Sequence, residues 1–106
     1  MANLDVLKNA MLTVTQNVGH YEAREKTDQY IVWAEDGSGV NSWSDNKRKA
    51  GSITGTVDYF TKTVNDSNVG KIETAFGGIR ISWRLNSVQK EKDTGYIHFE
   101  WSWELI

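Results

Sequence analysis

The strictest alternation in the sequence lies in YIHFEWSWEL, where Ile97, Phe99, Trp101, Trp103 and Leu105 fall on one side and Tyr96, His98, Glu100, Ser102 and Glu104 on the other. Such a period of two marks a strand with one buried face. IRISWRLNSVQ repeats it, with Ile79, Ile81, Trp83 and Leu85 opposite Arg80, Ser82, Arg84 and Asn86. The intervening KEKDTG has the Asp-Thr-Gly ending of a short hairpin loop whose glycine is left-handed, so these two strands are predicted to pair antiparallel. YIVWAE and GSITGTVDYFTK add β-branched and aromatic strand material, the first expected to stop at Asp36-Gly37. A shorter strand is expected around His20 to Ala23.

Two stretches carry helical spacing instead. Leu4, Leu7, Met11 and Val14 predict an amphipathic helix from Asn3 to about Gln16, with Asn3 as N-cap, Asp5 in the first turn and Gly19 marking its end. Val69, Ile72 and Phe76 predict a second, short helix that follows the turn residues TVNDSN and stops at Gly77-Gly78. From Asp36 to Ala50, DGSGVNSWSDNKRKA has no periodicity and is long for a connection within a domain. A sheet with one apolar face and two apolar helix stripes can hide these surfaces only against each other. The expected fold is therefore α+β: a mostly antiparallel sheet of four to five strands with two helices packed on one face, as a single domain over residues 1–106. On this reading four of the five tryptophans belong to the core. Each buried indole contributes at most about 4–6 kcal/mol, reason enough for Trp101 and Trp103 to be there.

Composition narrows the function classes. The chain has 106 residues with a net charge of −2, which gives no general attraction to nucleic acid or anionic lipid. No apolar run is long enough to span a bilayer, and MANLDVLKNAMLTV lacks the basic start and apolar block of a secretory signal, so the cytoplasm is the default compartment. There are no cysteines, and the two histidines, His20 and His98, stand in no metal-ligand spacing, so neither a metal site nor a cofactor is expected. Nothing resembles a GxSxG elbow, GxGxxG or a P-loop. His98 shares a strand face with Tyr96, Glu100 and Glu104, an arrangement that mimics an acid/base cluster but that alternation alone generates. Trp43 beside Lys47, Arg48 and Lys49, to which the polar face of RISWRL adds Arg80 and Arg84, is an aromatic and basic combination suited to stacking a base or a sugar, although Glu35, Asp36 and Asp45 offset the loop charge. It makes a binding module for single-stranded nucleic acid or glycan the alternative reading.

The ordered set YIVWAEDG, a basic loop, GTVDYFTK, a short helix and SVQKEKDTGYIHFEWSWE resembles the tail-terminator and tail-completion proteins, often called minor capsid proteins, of tailed phages and prophages of Gram-positive bacteria. The similarity runs from about Tyr30 to Glu104, and VDYFTK and DTGYIHFEWSWE are its most specific elements. The resemblance implies a virion protein without enzymatic activity, present in the host cytoplasm during assembly. It also implies a hexameric ring on the last ring of tail-tube subunits, which stops polymerisation and offers the surface to which the head-completion or connector protein docks. No membrane and no specific nucleic acid enters this picture. A closed ring needs two different complementary surfaces on each subunit. The polar sheet face with Arg80, Arg84, His98 and Glu100 is one candidate subunit contact, a solvated sheet face being equally compatible with the pattern. The loop with Trp43, Lys47, Arg48 and Lys49 is a candidate for docking tube or head, with Trp43 as its aromatic anchor.

Overall fold

The computed structural model describes residues 3–38 and 52–106, in the order α1 (Leu4–Leu12), β1 (Val18–His20), β2 (Gln29–Ser38), β3 (Ile53–Thr61), α2 (Asn68–Gly77), β4 (Ile81–Lys90) and β5 (Ile97–Leu105). The five strands form one sheet in the order β1-β2-β3-β5-β4. Every neighbouring pair is antiparallel except β1 and β2, which run parallel at one edge. The fold is α+β, with both helices on one face of this mostly antiparallel sheet.

Register decides which side chains meet the helices. Ile31, Tyr59 and Phe99 face one another across β2, β3 and β5, and Trp33, Val57, Trp101 and Leu85 form the next row across to β4. Leu7 and Met11 of α1 and Ile72 and Phe76 of α2 close over these rows, and Trp101, Tyr59, Val57 and Ile31 are fully buried there. The inward alternation of β5 is as the sequence predicts. Of the four described tryptophans Trp33, Trp101 and Trp103 are core; Trp83 is 40% exposed, because β4 is an edge strand that α2 covers incompletely. Trp43 lies outside the described residues.

Three boundaries differ from the pattern reading. The first helix ends at Leu12, not near Gln16: the β-branched run Thr13-Val14-Thr15 disfavours continuation, and the Thr13 hydroxyl turns back to donate to the Ala10 carbonyl at 2.6 Å. Its N-cap is Asn3 as expected, whose side chain accepts from the Asp5 amide at 2.9 Å. Gly19 does not end this helix but sits in β1, which begins at Val18 instead of His20. A Cβ there would lie 1.9 Å from the Glu22 carbonyl oxygen, so only glycine lets the following segment fold back over β1. The Asp36-Gly37 pair does not stop β2. It forms a bulge, with Glu35 opposite Gly55 and Gly37 opposite Thr54, and the Thr54 hydroxyl donates to the extra Asp36 carboxylate at 2.8 Å.

The turn between β3 and α2 is organised by one carboxylate. Asp66 Oδ2 accepts from the Tyr59 hydroxyl at 2.5 Å, the Thr61 hydroxyl at 2.7 Å and Gln29 Nε2 at 2.9 Å. Its Oδ1 accepts from the Asn68 amide at 2.9 Å, which ties the first residue of α2 to the turn. At the same end of the sheet, where Thr61 and Lys90 both pair with Ile97, the β4–β5 hairpin turns through Gly95 at φ +80°, the left-handed residue that the Asp-Thr-Gly ending predicts.

Candidate functional site

The sheet face turned away from the helices is not uniformly polar, which corrects the sequence reading. Tyr30 and Val32 of β2 and Phe60 of β3 point there with His98 of β5, because β2 and β3 carry apolar residues on both faces. Register sets Tyr30 opposite Phe60 and Phe60 opposite His98. The three rings stack in a row across the strands, at 4.7 Å between Tyr30 and Phe60 and 4.2 Å between Phe60 and His98. Tyr96 meets Tyr30 and Phe60 edge-on, and its hydroxyl donates to the Thr27 carbonyl at 2.7 Å. Tyr30 is only 5% exposed, unusual for the outer face of a single-layered sheet.

The connection from β1 back to β2, residues 21–28, roofs one side of this row. Gly19 provides its seat, and Asn17 ties its far end by donating to the Glu25 carbonyl and the Thr27 hydroxyl, each at 2.9 Å. Between roof and rings lies a cleft of about 560 Å³ with Tyr21, Glu22, Lys26, Asp58, Glu91 and His98 in its walls. In it His98 Nε2 stands 2.7 Å from Asp58 Oδ1. That hydrogen bond holds the imidazole pKa above its ordinary value; burial opposes the shift, and the charges of Asp58, Glu91 and Glu100 add to it. The pair can hold a proton, but among the described residues no serine or threonine hydroxyl hydrogen-bonds the imidazole, so half of a nucleophilic relay is present. The row His98, Glu100, Glu104 does not act together. Glu100 accepts from Asn86 Nδ2 at 3.3 Å, and Glu104 accepts from the Ser52 hydroxyl in a separate hollow beside Trp103 and Arg84.

The sheet edge formed by β4 is the second feature. Arg84 lies on the outer face opposite Ser102, and its Nε donates to Asn86 Oδ1 at 3.2 Å. Asn86 also donates to Glu100 and Ser102, so it bridges Arg84 and Glu100, which form no direct ion pair. Asn86 is the extra residue of a bulge between Leu85 and Ser87. Arg80 is exposed just before the strand. On the opposite side of β4, Trp83, Leu85 and Val88 are 40%, 39% and 50% exposed, an apolar stripe along an unpaired edge. The four candidate contact residues therefore divide: His98 sits in the cleft, and Arg80, Arg84 and Glu100 belong to the β4 side.

Sequence reasoning missed Asp58, Tyr30 and Phe60. The signal for Tyr30 and Phe60 was present, since YIVW and VDYF place an aromatic residue on each face of their strands. Trp43, Lys47, Arg48 and Lys49 lie outside the described residues, as does the stretch of the unpatterned loop from Gly39 to Ala50. Among the four described tryptophans only Trp83 is exposed, so they supply no planar row of indoles for a glycan. No described helix is long and apolar enough to cross a membrane. No protein-family model matches the chain, and no curated protein matches it.

Proposed function

We propose that this chain is a structural assembly protein of a tailed phage, a tail-terminator or tail-completion subunit. It forms a ring on the end of the tail tube, stops polymerisation and presents the surface to which the head docks. The observation that carries the reading is the β4 edge: ten residues of strand with one backbone side unpaired among the described residues and an exposed apolar stripe of Trp83, Leu85 and Val88. A chain that worked as an isolated monomer gains nothing from a long apolar edge, which exposes it to aggregation, whereas a subunit that is covered by neighbours does. The resemblance of VDYFTK and DTGYIHFEWSWE to tail-terminator proteins supplies the biological context, and the α+β layering with both helices on one face agrees with it.

The test is electron microscopy of tail-tube protein from the same phage, polymerised with and without this chain. The expected result is a ring at one tube end and a narrowed distribution of tube lengths. Tubes of unregulated length with no added density at either end would remove the reading.

A further inference from the structure

The two edges of the sheet differ in charge as well as in length. From Arg80 through Lys90, the β4 edge carries Arg80, Arg84 and Lys90 and no acidic residue. None of these three forms an ion pair among the described residues. The opposite edge is formed by β1, the connection folded over it and the end of β2 that β1 leaves uncovered. It carries Glu22 and Lys26, which also wall the cleft, Arg24, Glu25, Asp28, which lies 4.0 Å from Lys62 Nζ, Glu35 and Asp36, five acidic and two basic groups. Arg24 is turned away to the Gln16 carbonyl at 3.1 Å, and Glu35 is taken up by His20 at 2.6 Å. Glu22 and Glu25 are exposed, and their carboxylates accept no hydrogen bond among the described residues.

We infer that the basic β4 edge of one copy docks against the acidic β1 edge of the next, a head-to-tail contact between opposite sides of the sheet. This rests on the ring reading above and names its interface. Two alternatives are disfavoured by the same groups. A two-fold pairing of β4 with β4 runs antiparallel and sets one basic edge against another, and the bulge at Asn86 interrupts the regular edge such a pairing needs. A two-fold pairing of β1 with β1 offers only three residues of strand and sets Glu22 and Glu25 against like charge. A contact between unlike edges leaves one edge of each kind open on every growing assembly, so it ends in a closed ring or a filament. The apolar stripe of Trp83, Leu85 and Val88 supplies the desolvated centre of the contact, and the charges at its rim fix which edge it accepts.

The inference is tested with two full-length variants. In one, Arg84→Glu and Lys90→Glu reverse the β4 edge; in the other, Glu22→Lys and Glu25→Lys reverse the β1 edge. All four side chains are exposed, so both chains should fold, as circular dichroism can verify. Each variant alone has two like-charged edges and should form rings on the tail tube at least about tenfold less readily than the unaltered chain. Mixed in equal amounts, the acidic β4 edge of the first meets the basic β1 edge of the second, and the remaining pair is the natural one. The mixture should therefore restore a ring of alternating subunits, seen by microscopy and by the mass of the released assembly. If either variant alone forms rings as well as the unaltered chain, or if the mixture fails where the unaltered chain succeeds, the edge pairing is wrong while the tail-terminator reading stands. If the unaltered chain forms no ring on the tube, that reading falls and the pairing with it.

Discussion

At the residue scale, two titratable groups carry more than their number suggests. Asp66 joins β2, β3 and the start of α2 through four hydrogen bonds. Burial alone pushes its carboxyl pKa up, but donation by Tyr59, the Asn68 amide, Thr61 and Gln29 outweighs this and holds it below the usual carboxylate range. Burial, and after it the same carboxylate, raises the Tyr59 hydroxyl to about 12. Asp66→Ala leaves the hydroxyl of the fully buried Thr61 and that of Tyr59 without their acceptor, and should cost about 2–3 kcal/mol in urea unfolding. His98 carries the opposite sign. Its pKa is raised above the ordinary 6.5, so the stability it contributes is fully present below that value and is lost as pH rises through the higher folded value. Unfolding followed across the range from about 6 upward should show this loss, and Asp58→Asn should flatten it. A slope unchanged in Asp58→Asn would mean that another group titrates there. His98 was legible in the sequence as an outward-facing residue of an alternating strand; Asp58 was not, since a lone Asp in VDYF signals nothing until register brings it beside β5.

At the element scale, alternation was readable wherever a strand had one dry face, and it failed where both faces were covered or one was left bare. β5 is the first case: Trp101, Trp103 and Leu105 sit inward as the letters indicate. β2 and β3 are the second, where Tyr30 and Phe60 build a small aromatic layer beneath the residue 21–28 connection. β4 is the third. Its Trp83 and Leu85 alternate as cleanly as the residues of β5, yet alternation does not say whether a strand is central or at the edge, and here it is at the edge. The element can be tested by Leu85→Asn with Val88→Asn. Both side chains are already substantially exposed, so the monomer's unfolding free energy should change by no more than about 0.5 kcal/mol per site. Self-association, and on the proposed function attachment to the tail tube, should weaken markedly. A large loss of monomer stability would instead place these residues in the chain's own core.

At the scale of the whole molecule, the order β1-β2-β3-β5-β4 separates neighbours in space from neighbours in sequence. β2 meets β3, and β4 meets β5, across single connections, but the seam between β3 and β5 joins segments with α2 and the whole of β4 between them. No periodicity in the letters reveals that seam, because pairing across it depends on which edges remain open once the two local units exist. The seam also sets a timetable. The strand that sits between β3 and β4 is the last of the seven elements to leave the ribosome. Until it arrives, β3 presents an unpaired flank, Tyr59 and Val57 lack half of their covering, and β4 has no partner at all. These elements are thus held open until β5 emerges and close in one late step, so premature contact with other copies is a matter for chaperones and for translation speed over the codons of β5.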